Sequence, residues 1–380
     1  MRKPTILVTA AAGKTGRATT LALLAKRYPV RALVRRHDQR ADDLRHAGAT
    51  VVVGSLEDIC DLRAALSGVE RAYFCPPLES GTLRKTVLFA EAAREAKLEV
   101  IVALNQWLSD PQHPALHATE KWLSRRVFEW LPGPDVVTIN PGFFADNYMA
   151  ALESIAQLGL MALPLGTGRN APPSNEDIAR VVVGALTQPE RHAGKVYRPT
   201  GPRLLDPDEL AATFAKVLGR PVRYQNAPLG LFLKVAKSLG FSDYLIAQLN
   251  FFLLDYQRDS FAVGAPTNAV LEVSGSEPES FEVIVRRYVA ASAFARPSFA
   301  GKLRAVLQIV KALLTPAPNL DAIATRLELP RTAHAALAAD SKEWAAHTLP
   351  PRSEPSSTPS DPPRATSKSF GPLPTPPNST

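Results

Sequence analysis

The sequence predicts an α/β protein whose N-terminal part is a doubly wound parallel sheet. Two observations support this fold class. Short apolar runs rich in β-branched residues alternate with helix-forming segments over about the first 140 residues. The first of these runs also leads through small residues directly into a helix. Strands and helices that alternate at this spacing form parallel sheets with right-handed crossovers.

The predicted elements follow one another without long interruptions. Strands are predicted at residues 6–8, 30–36, 50–53, 71–75, 100–104 and 136–139, and helices at 18–25, 59–66, 82–96 and about 120–130. Ligands of doubly wound sheets lie beyond the carboxyl ends of the strands. The residues that follow each strand are therefore the candidate binding residues.

The stretch from Thr5 to Gly16 has the pattern of a phosphate-binding turn. Its spacing fits Gly-x-x-Gly-x-x-Gly with Ala10 in place of the first glycine, which normally permits the sharp turn. The first amides of a helix have no internal partner and its N-terminus is positive, so an anion is stabilised there. An ordinary strand-to-helix turn is the alternative. The candidate residues of the turn are Thr9, Ala10, Ala12, Gly13, Lys14, Thr15 and Gly16.

The second strand ends in Arg35 and Arg36, about twenty residues after Gly16. In a dinucleotide-binding unit an acidic residue at this place binds the ribose 2′-hydroxyl, whereas an arginine binds a 2′-phosphate. No acidic residue precedes Asp38, so the pattern favours NADP(H) over NAD(H). Simple solvent exposure of the two arginines is the alternative.

Further candidates follow the other strands. They are Ser55, Leu56, Cys75, Pro76, Asn105, Asn140, Pro141, Gly142 and Phe143. Cys75 is a candidate redox-sensitive thiol, although an inert buried cysteine is the more common case.

These residues together carry a family resemblance. The phosphate-binding turn, the sequence Val-Arg-Ala-Leu-Val-Arg from Val30, and Asn-Pro-Gly-Phe-Phe-Ala-Asp-Asn from Asn140 resemble the NmrA-like family of atypical short-chain dehydrogenase/reductases over residues 4–290. The resemblance implies an NADP-binding Rossmann domain followed by a smaller, mostly helical substrate-side domain. It does not imply one activity, because the family contains both quinone or azo-dye reductases and redox-sensing regulators.

The domain organisation predicted on this basis has four parts. Residues 1–150 form the NAD(P)-binding domain, and residues 151–290 form the substrate-side lobe, of which 176–200 return to the first domain. Residues 291–349 form a helical extension, and the Pro-, Ser- and Thr-rich residues 350–380 are predicted to be disordered.

The catalytic candidates are Lys121 and His117. The Tyr-x-x-x-Lys pair of short-chain dehydrogenases does not occur between Asn105 and Pro141. Some relatives carry an active-site lysine on the helix at a similar place, which implies that Lys121 orients the nicotinamide ribose or polarises a carbonyl. His117 shares its helix face and titrates near neutral pH. The alternative for both residues is a solvated surface position.

Composition limits the remaining possibilities. The chain of 380 residues has a net charge of +8, with its arginine pairs far apart, which favours anionic small molecules over nucleic acid. No apolar run is long enough to span a bilayer, two cysteines give no disulfide framework, and we expect a cytoplasmic protein without a membrane partner. We assign no metal ligands.

The C-terminal half carries weaker signals. Helix-spaced aromatic residues over 229–256 are typical of a core. In the relatives this region lines the substrate side of the nicotinamide, and the resemblance therefore implies a small apolar or aromatic substrate. Residues 303–314 are amphipathic. Residues 320–334 resemble the start of a helix-turn-helix, but the segment lacks the glycine of the turn, which favours a helical hairpin packed on the body.

The leading functional hypothesis is hydride transfer from NADPH to a quinone-like or other conjugated acceptor. Such a reduction needs orientation and a nearby proton donor more than a strong side-chain acid. A regulator that senses NADP(H) and acts through a protein partner is the alternative from a different class. A DNA-binding protein that uses residues 320–340 is the third.

Overall fold

The computed structural model describes residues 2–348. Its nine strands are β1 (Ile6–Val8), β2 (Val30–Val34), β3 (Thr50–Val53), β4 (Arg71–Phe74), β5 (Val100–Leu104), β6 (Asp135–Ile139), β7 (Leu160–Leu163), β8 (Val196–Tyr197) and β9 (Arg223–Asn226). Seven of these strands pair in parallel in the order β3-β2-β1-β4-β5-β6-β8. The doubly wound parallel sheet predicted from the sequence is therefore confirmed.

The helices of the first 200 residues are α1 (Lys14–Ala25), α2 (Gln39–His46), α3 (Ile59–Leu66), α4 (Thr82–Ala96), α5 (Leu116–Trp130), α6 (Ala145–Met149), α7 (Leu152–Leu158), α8 (Asn175–Thr187) and α9 (Pro189–His192). The later helices are α10 (Pro207–Leu218), α11 (Leu229–Ser238), α12 (Asp243–Gln257), α13 (Ala269–Ser274), α14 (Phe281–Ala291), α15 (Phe299–Leu314), α16 (Leu320–Arg326) and α17 (Lys342–Thr348), with a short 3-10 helix at Ala338–Asp340.

The sheet is buried on both faces, which explains the continuous apolar runs of its central strands. In β1, Ile6 and Val8 face one apolar cluster, which also contains residues of α1 and α8. Leu7, between them, faces the cluster formed with α3 and α4. Side chains that alternate along a strand thus serve both faces, and the carboxyl ends of the strands remain as the edge where a ligand can bind.

A smaller, mostly helical region follows, with its own apolar cluster. Its helix α10 begins with a capping box: Asp206 accepts from the backbone amide of Glu209 and Glu209 accepts from that of Asp206. Gly219 ends the helix in the left-handed conformation. β7, which sequence analysis missed, pairs in parallel with β9.

The chain returns to the sheet after residue 175. α8 packs against α1, and Ile139 of β6 pairs with Tyr197 of β8. The domain boundaries given above stay predictions.

The helix-turn-helix interpretation is wrong for the described residues. α16 ends at Arg326, and no helix follows until the short 3-10 helix at Ala338–Asp340, so residues 331–337 form no reading helix. The segment docks instead on the body, since the backbone amide of Ala336 donates to the carbonyl oxygen of Gln112. The disordered tail predicted at 350–380 lies outside the described residues.

Within residues 2–348, every helix is too short or too polar to cross a bilayer.

Candidate dinucleotide site

The order of the strands reverses between β1 and β4, and the two loops that follow these strands meet there. The amide of Cys75 donates to Oγ1 of Thr9 at 2.8 Å, and Oγ1 of Thr15 lies 3.4 Å from Sγ of Cys75. Parallel doubly wound sheets bind their ligands at this switch point. Pro76 is also buried beside it.

The turn between β1 and α1 is tight and strained at one residue. Ala10 has φ of +45°, a conformation that glycine adopts without cost. Its carbonyl oxygen accepts from the amide of Gly13 at 2.8 Å, which closes the turn. A Cβ at Gly16 would lie 2.4 Å from that oxygen, so only glycine fits. Ala10 thus occupies the position of the motif's first glycine, and its backbone still adopts the left-handed conformation that a glycine would adopt there.

The first helical turn of α1 points its free amides at the edge of the sheet. Gly13 is the N-cap residue and makes no side-chain capping bond, and no acidic residue occupies the first turn. Lys14, whose side chain is 70% exposed, forms an ion pair with the buried carboxylate of Asp146 on α6. This pair joins the turn to the segment that follows β6. An anion at the helix N-terminus would meet both the amides and the Lys14 ammonium.

The strand β2 ends at Val34, two residues earlier than predicted, so Arg35 and Arg36 lie just beyond it. Both side chains are exposed; Arg35 lies 3.7 Å from Glu79, and Arg36 lies 3.5 Å from Asp38. Asp38 caps α2 by accepting from the amides of Arg40 and Ala41. Its bonds to the Arg40 guanidinium lower the pKa of Asp38 to about 2.

The remaining cofactor-site candidates follow β3, β5 and β6. Ser55 accepts from the amide of Glu57, and Leu56 is half-buried beside it. Asn105 is buried, and its backbone N–H donates to the carbonyl oxygen of Ile139 at 2.8 Å. The side-chain oxygen of Asn140 is buried, and among the described residues it has no hydrogen-bonding partner.

The residues after Asn140 turn toward the helical lobe. Pro141 and Gly142 are buried, and Gly142 donates its amide to the carbonyl of Pro199. The Phe143 ring packs edge-on against Tyr148 and Tyr256, with centroids 5.5 and 5.1 Å apart. These aromatic rings form a packed cluster, in which Tyr148 and Tyr256 are fully buried and Phe143 is partly exposed.

Lys121 is buried at the carboxyl end of β5. Its ammonium donates to the carbonyl oxygen of Leu104 at 2.6 Å. Burial lowers the pKa of Lys121 to about 8, and Cys75 and Glu120 oppose this shift in part. The surface alternative considered for Lys121 is wrong, because only 4% of the residue is exposed.

His117 is buried as well, one turn before Lys121. Its amide donates to Oε1 of Gln248 on α12, and its Nδ1 lies 3.4 Å from Oγ1 of Thr82. Burial, then the positive charges of Lys121 and Lys85, lower the pKa of His117 well below its usual value. The imidazole is therefore neutral at pH 7, contrary to the expectation that it titrates near neutrality.

Sequence analysis missed a group of charged side chains beneath these residues. The ammonium of Lys85, which is 2% exposed, lies 2.7 Å from Glu79 and 3.2 Å from Glu57. Glu120 accepts from the amide of Thr82, and burial raises its pKa. No sequence signal marks Lys85, because the first turn of α4 has the pattern of an ordinary amphipathic helix.

Comparison with known proteins identifies this architecture. The model of the NmrA-like family matches residues 2–259. The chain belongs to the NmrA-like family. The match covers the sheet, the turn before α1 and the aromatic cluster of Phe143, Tyr148 and Tyr256, and it ends before α15.

The proteins that resemble this chain have a range of described roles. An NAD(P)H azoreductase of Xenophilus azovorans is 28% identical over 295 residues, which cover 75% of this chain and 98% of that protein. A structure of an Escherichia coli NADPH-dependent quinone oxidoreductase in complex with NADPH aligns with a TM-score of 0.65 at 23% identity, covering 74% and 99% of the two chains. The negative transcriptional regulator NmrA in complex with NADP aligns at 0.61 with 16% identity, covering 75% and 95%. The structural likenesses establish the fold only.

Proposed function

We propose that this NmrA-like protein transfers hydride from NADPH to a small conjugated acceptor such as a quinone. The observation that carries the proposal is the position of Lys121: a buried ammonium at the carboxyl end of β5, with a pKa of about 8. A protonated amine at this edge is a proton donor for the oxygen or nitrogen of a reduced acceptor. Two relatives named NAD(P)H azoreductase and quinone oxidoreductase 2 support a reductase as the class of enzyme.

The residues present fit a dinucleotide. The free amides at the start of α1 and the Lys14 ammonium suit a pyrophosphate. The unpartnered side-chain oxygen of Asn140 is an acceptor still to be satisfied, at the sheet edge where the rest of the dinucleotide would lie. When bound, the reduced nicotinamide supplies the hydride.

The arrangement after β2 supports a 2′-phosphate. Arg35 and Arg36 present two largely exposed guanidinium groups, each in one loose ion pair, at 3.7 Å with Glu79 and at 3.5 Å with Asp38. Asp38, the nearest acidic residue, is already bonded to two backbone amides and to Arg40. A carboxylate committed in this way is poorly placed to accept from a ribose 2′-hydroxyl, which favours NADP(H) over NAD(H).

The side chains near the carboxyl end of β5 have separate roles in the proposed reaction. A two-electron reduction needs one hydride and one proton, and Lys121 donates the proton from Nζ to the acceptor and is reprotonated from solvent. His117 stays neutral and fixes the start of α5 through its bonded backbone amide. The partly exposed ring of Phe143 offers an apolar contact for a planar acceptor, and the buried rings of Tyr148 and Tyr256 hold it in place.

The test is NADPH oxidation followed at the nicotinamide absorbance, with and without 1,4-naphthoquinone. We expect consumption that depends on the quinone and falls about 100-fold in kcat in Lys121→Met. Lys26→Ala, which changes an exposed lysine at the far end of α1, is the control and keeps the native rate.

A different outcome favours the regulatory alternative. Tight NADPH binding by calorimetry without quinone-dependent turnover contradicts the reductase proposal and supports a sensor. Turnover that survives Lys121→Met unchanged removes Lys121 as the proton donor while leaving the cofactor site intact.

A further inference from the structure

Helix α15, which lies beyond the family match, exposes a continuous apolar stripe to solvent. The side chains on this outward stripe are 44% to 85% exposed and recur at helical spacing: Phe299, Leu303, Leu307, Val310, Leu313 and Leu314. On a helix these positions fall within one face of about 120°. A surface helix normally turns such a face toward the core, so the direction of this stripe requires an explanation.

The inward face of α15 is occupied by smaller residues. Gly301, Ala305 and Ala312 are buried, and α7 and α11 pack along this side. A Cβ at Gly301 would lie 2.5 Å from the side-chain oxygen of Gln157, so the contact is close. Side-chain bonds hold both ends: Ser298 caps the N-terminus, and the ammonium of Lys234 donates to the carbonyl of Leu313 at 2.7 Å. The helix is thus fixed with its larger apolar side chains outward.

The charged residues of α15 are all basic. Phe299–Leu314 contains Lys302, Arg304 and Lys311 and no acidic residue. Lys302 lies on one edge of the outward stripe, and Arg304 and Lys311 lie on the other. Arg304 is paired with Glu153, whereas the two lysines flank the stripe on an exposed surface.

We propose that α15 docks the protein on the surface of an anionic lipid bilayer. An apolar stripe bordered by lysines and without acidic residues matches a membrane interface, where apolar side chains enter the acyl boundary and lysines approach acidic headgroups. The helix lies on the bilayer and does not cross it. This proposal departs from the expectation of no membrane partner, because sequence amphipathicity alone does not tell which way the stripe faces.

Two other partners for the outward stripe of α15, a second copy of the chain and the segment 349–380, agree less well with its charge or its apolar area. Pairing with a second copy by twofold symmetry brings two acid-free basic helices together, so Lys302 and Lys311 would meet only like charges from the other α15. The segment 349–380 contains only three large apolar residues, Leu349, Phe370 and Leu373, which is too few to cover the outward stripe.

The test is flotation of the full-length chain with vesicles of phosphatidylcholine alone and of phosphatidylcholine with phosphatidylglycerol. We expect binding to the anionic vesicles only, weakened by salt. The double variant Leu307→Gln/Leu314→Gln is expected to lose at least tenfold in partition coefficient. Lys302→Gln/Lys311→Gln is expected to lose about tenfold on anionic vesicles.

The matched control is Leu271→Gln/Leu327→Gln, which changes two exposed leucines elsewhere and keeps native binding. Circular dichroism of each variant separates lost docking from lost folding, and the lysine variant tests the proposal even if the leucine variant misfolds. Absence of binding by the native chain overturns the proposal, as does equal loss in the leucine control. A dimer by sedimentation equilibrium that Leu307→Gln/Leu314→Gln dissociates, without vesicle binding, assigns the stripe to a second copy instead.

Discussion

At the scale of single residues, Lys121 connects stability with the proposed chemistry. The buried ammonium has a lowered pKa, so the folded protein disfavours the charged form that the reaction would use. The unfolded chain binds the proton more tightly between pH 8 and 10.5, and therefore the free energy of unfolding rises with pH across that window. The shift corresponds to roughly 3 kcal/mol of unfavourable interaction when the amine is charged.

This leads to two pH-dependent expectations. Because the amine donates as an ammonium, the turnover rate should be maximal below pH 8 and fall as pH rises through about 8. In urea unfolding, the stability of Lys121→Met relative to the native protein should decline as pH rises from 8 to 10.5. A rate profile that is flat across pH 8 in both proteins contradicts the role of Lys121 as donor.

Arg35 and Arg36 make the preference between the two dinucleotides testable. Replacing both with alanine removes charge-assisted bonds to a 2′-phosphate, so the Kd for NADPH should rise about tenfold to a hundredfold by calorimetry. The Kd for NADH should change less than threefold, because NADH has no phosphate there. The control is Arg45→Ala, whose guanidinium is paired with Asp42 on α2. Equal losses for the two cofactors are incompatible with the 2′-phosphate assignment.

At the scale of elements, the approach of α1 to β1 depends on two residues of the turn. Ala10 holds a left-handed conformation, which for alanine costs about 1 kcal/mol. Its carbonyl oxygen leaves no room for a Cβ at Gly16. The position of the helix N-terminus, and hence of its free amides, follows from this contact.

Gly16→Ala should therefore disturb the turn as well as the helix. We expect a loss of several kcal/mol in urea unfolding, together with weaker binding of NADPH and NADH alike, since the amides serve the part common to both. The matched control is Gly230→Ala in α11, where the added Cβ meets no atom within 4 Å beyond its chain neighbours and its own helix backbone, and helix propensity favours alanine by about 1 kcal/mol. A variant at Gly16 as stable as native protein refutes the steric account.

The elements also differ in how well the sequence predicts them. The strands β1 to β6 could be predicted because each is an apolar run between turn residues, and α10 because Asp206 and Glu209 mark its start. β7 could not, since its four residues pair only with β9, which lies some sixty residues later. Lys85 and Glu120 are charged residues on helix faces, and their burial depends on how α4 and α5 pack.

At the scale of the whole molecule, residues beyond the family match are joined to the loop that precedes α5. Trp344 is 3% exposed, and its indole N–H donates to the carbonyl of Trp107 at 2.9 Å. Ser341 donates to the carboxylate of Asp110 at 2.6 Å. Asp255 accepts from Nε2 of His113 at 2.8 Å and from the amide of Ala339 at 3.1 Å. The His113 Nδ1 accepts from the backbone amide of Ala115, which leaves Nε2 as the nitrogen that donates to Asp255.

These contacts link the C-terminal segment to the start of the helix that carries Lys121. Trp344→Ala should cost about 3–5 kcal/mol in the free energy of unfolding, as large buried aromatic truncations do. It should also speed amide hydrogen exchange in residues 105–115, because the loop loses the group bonded to the Trp107 carbonyl. Trp130→Ala, at a tryptophan 73% exposed on α5, is the matched control and should change stability by less than about 0.5 kcal/mol. Unaltered exchange in this loop, with the expected loss of global stability, would mean that the segment stabilises the helical lobe without organising the approach to α5.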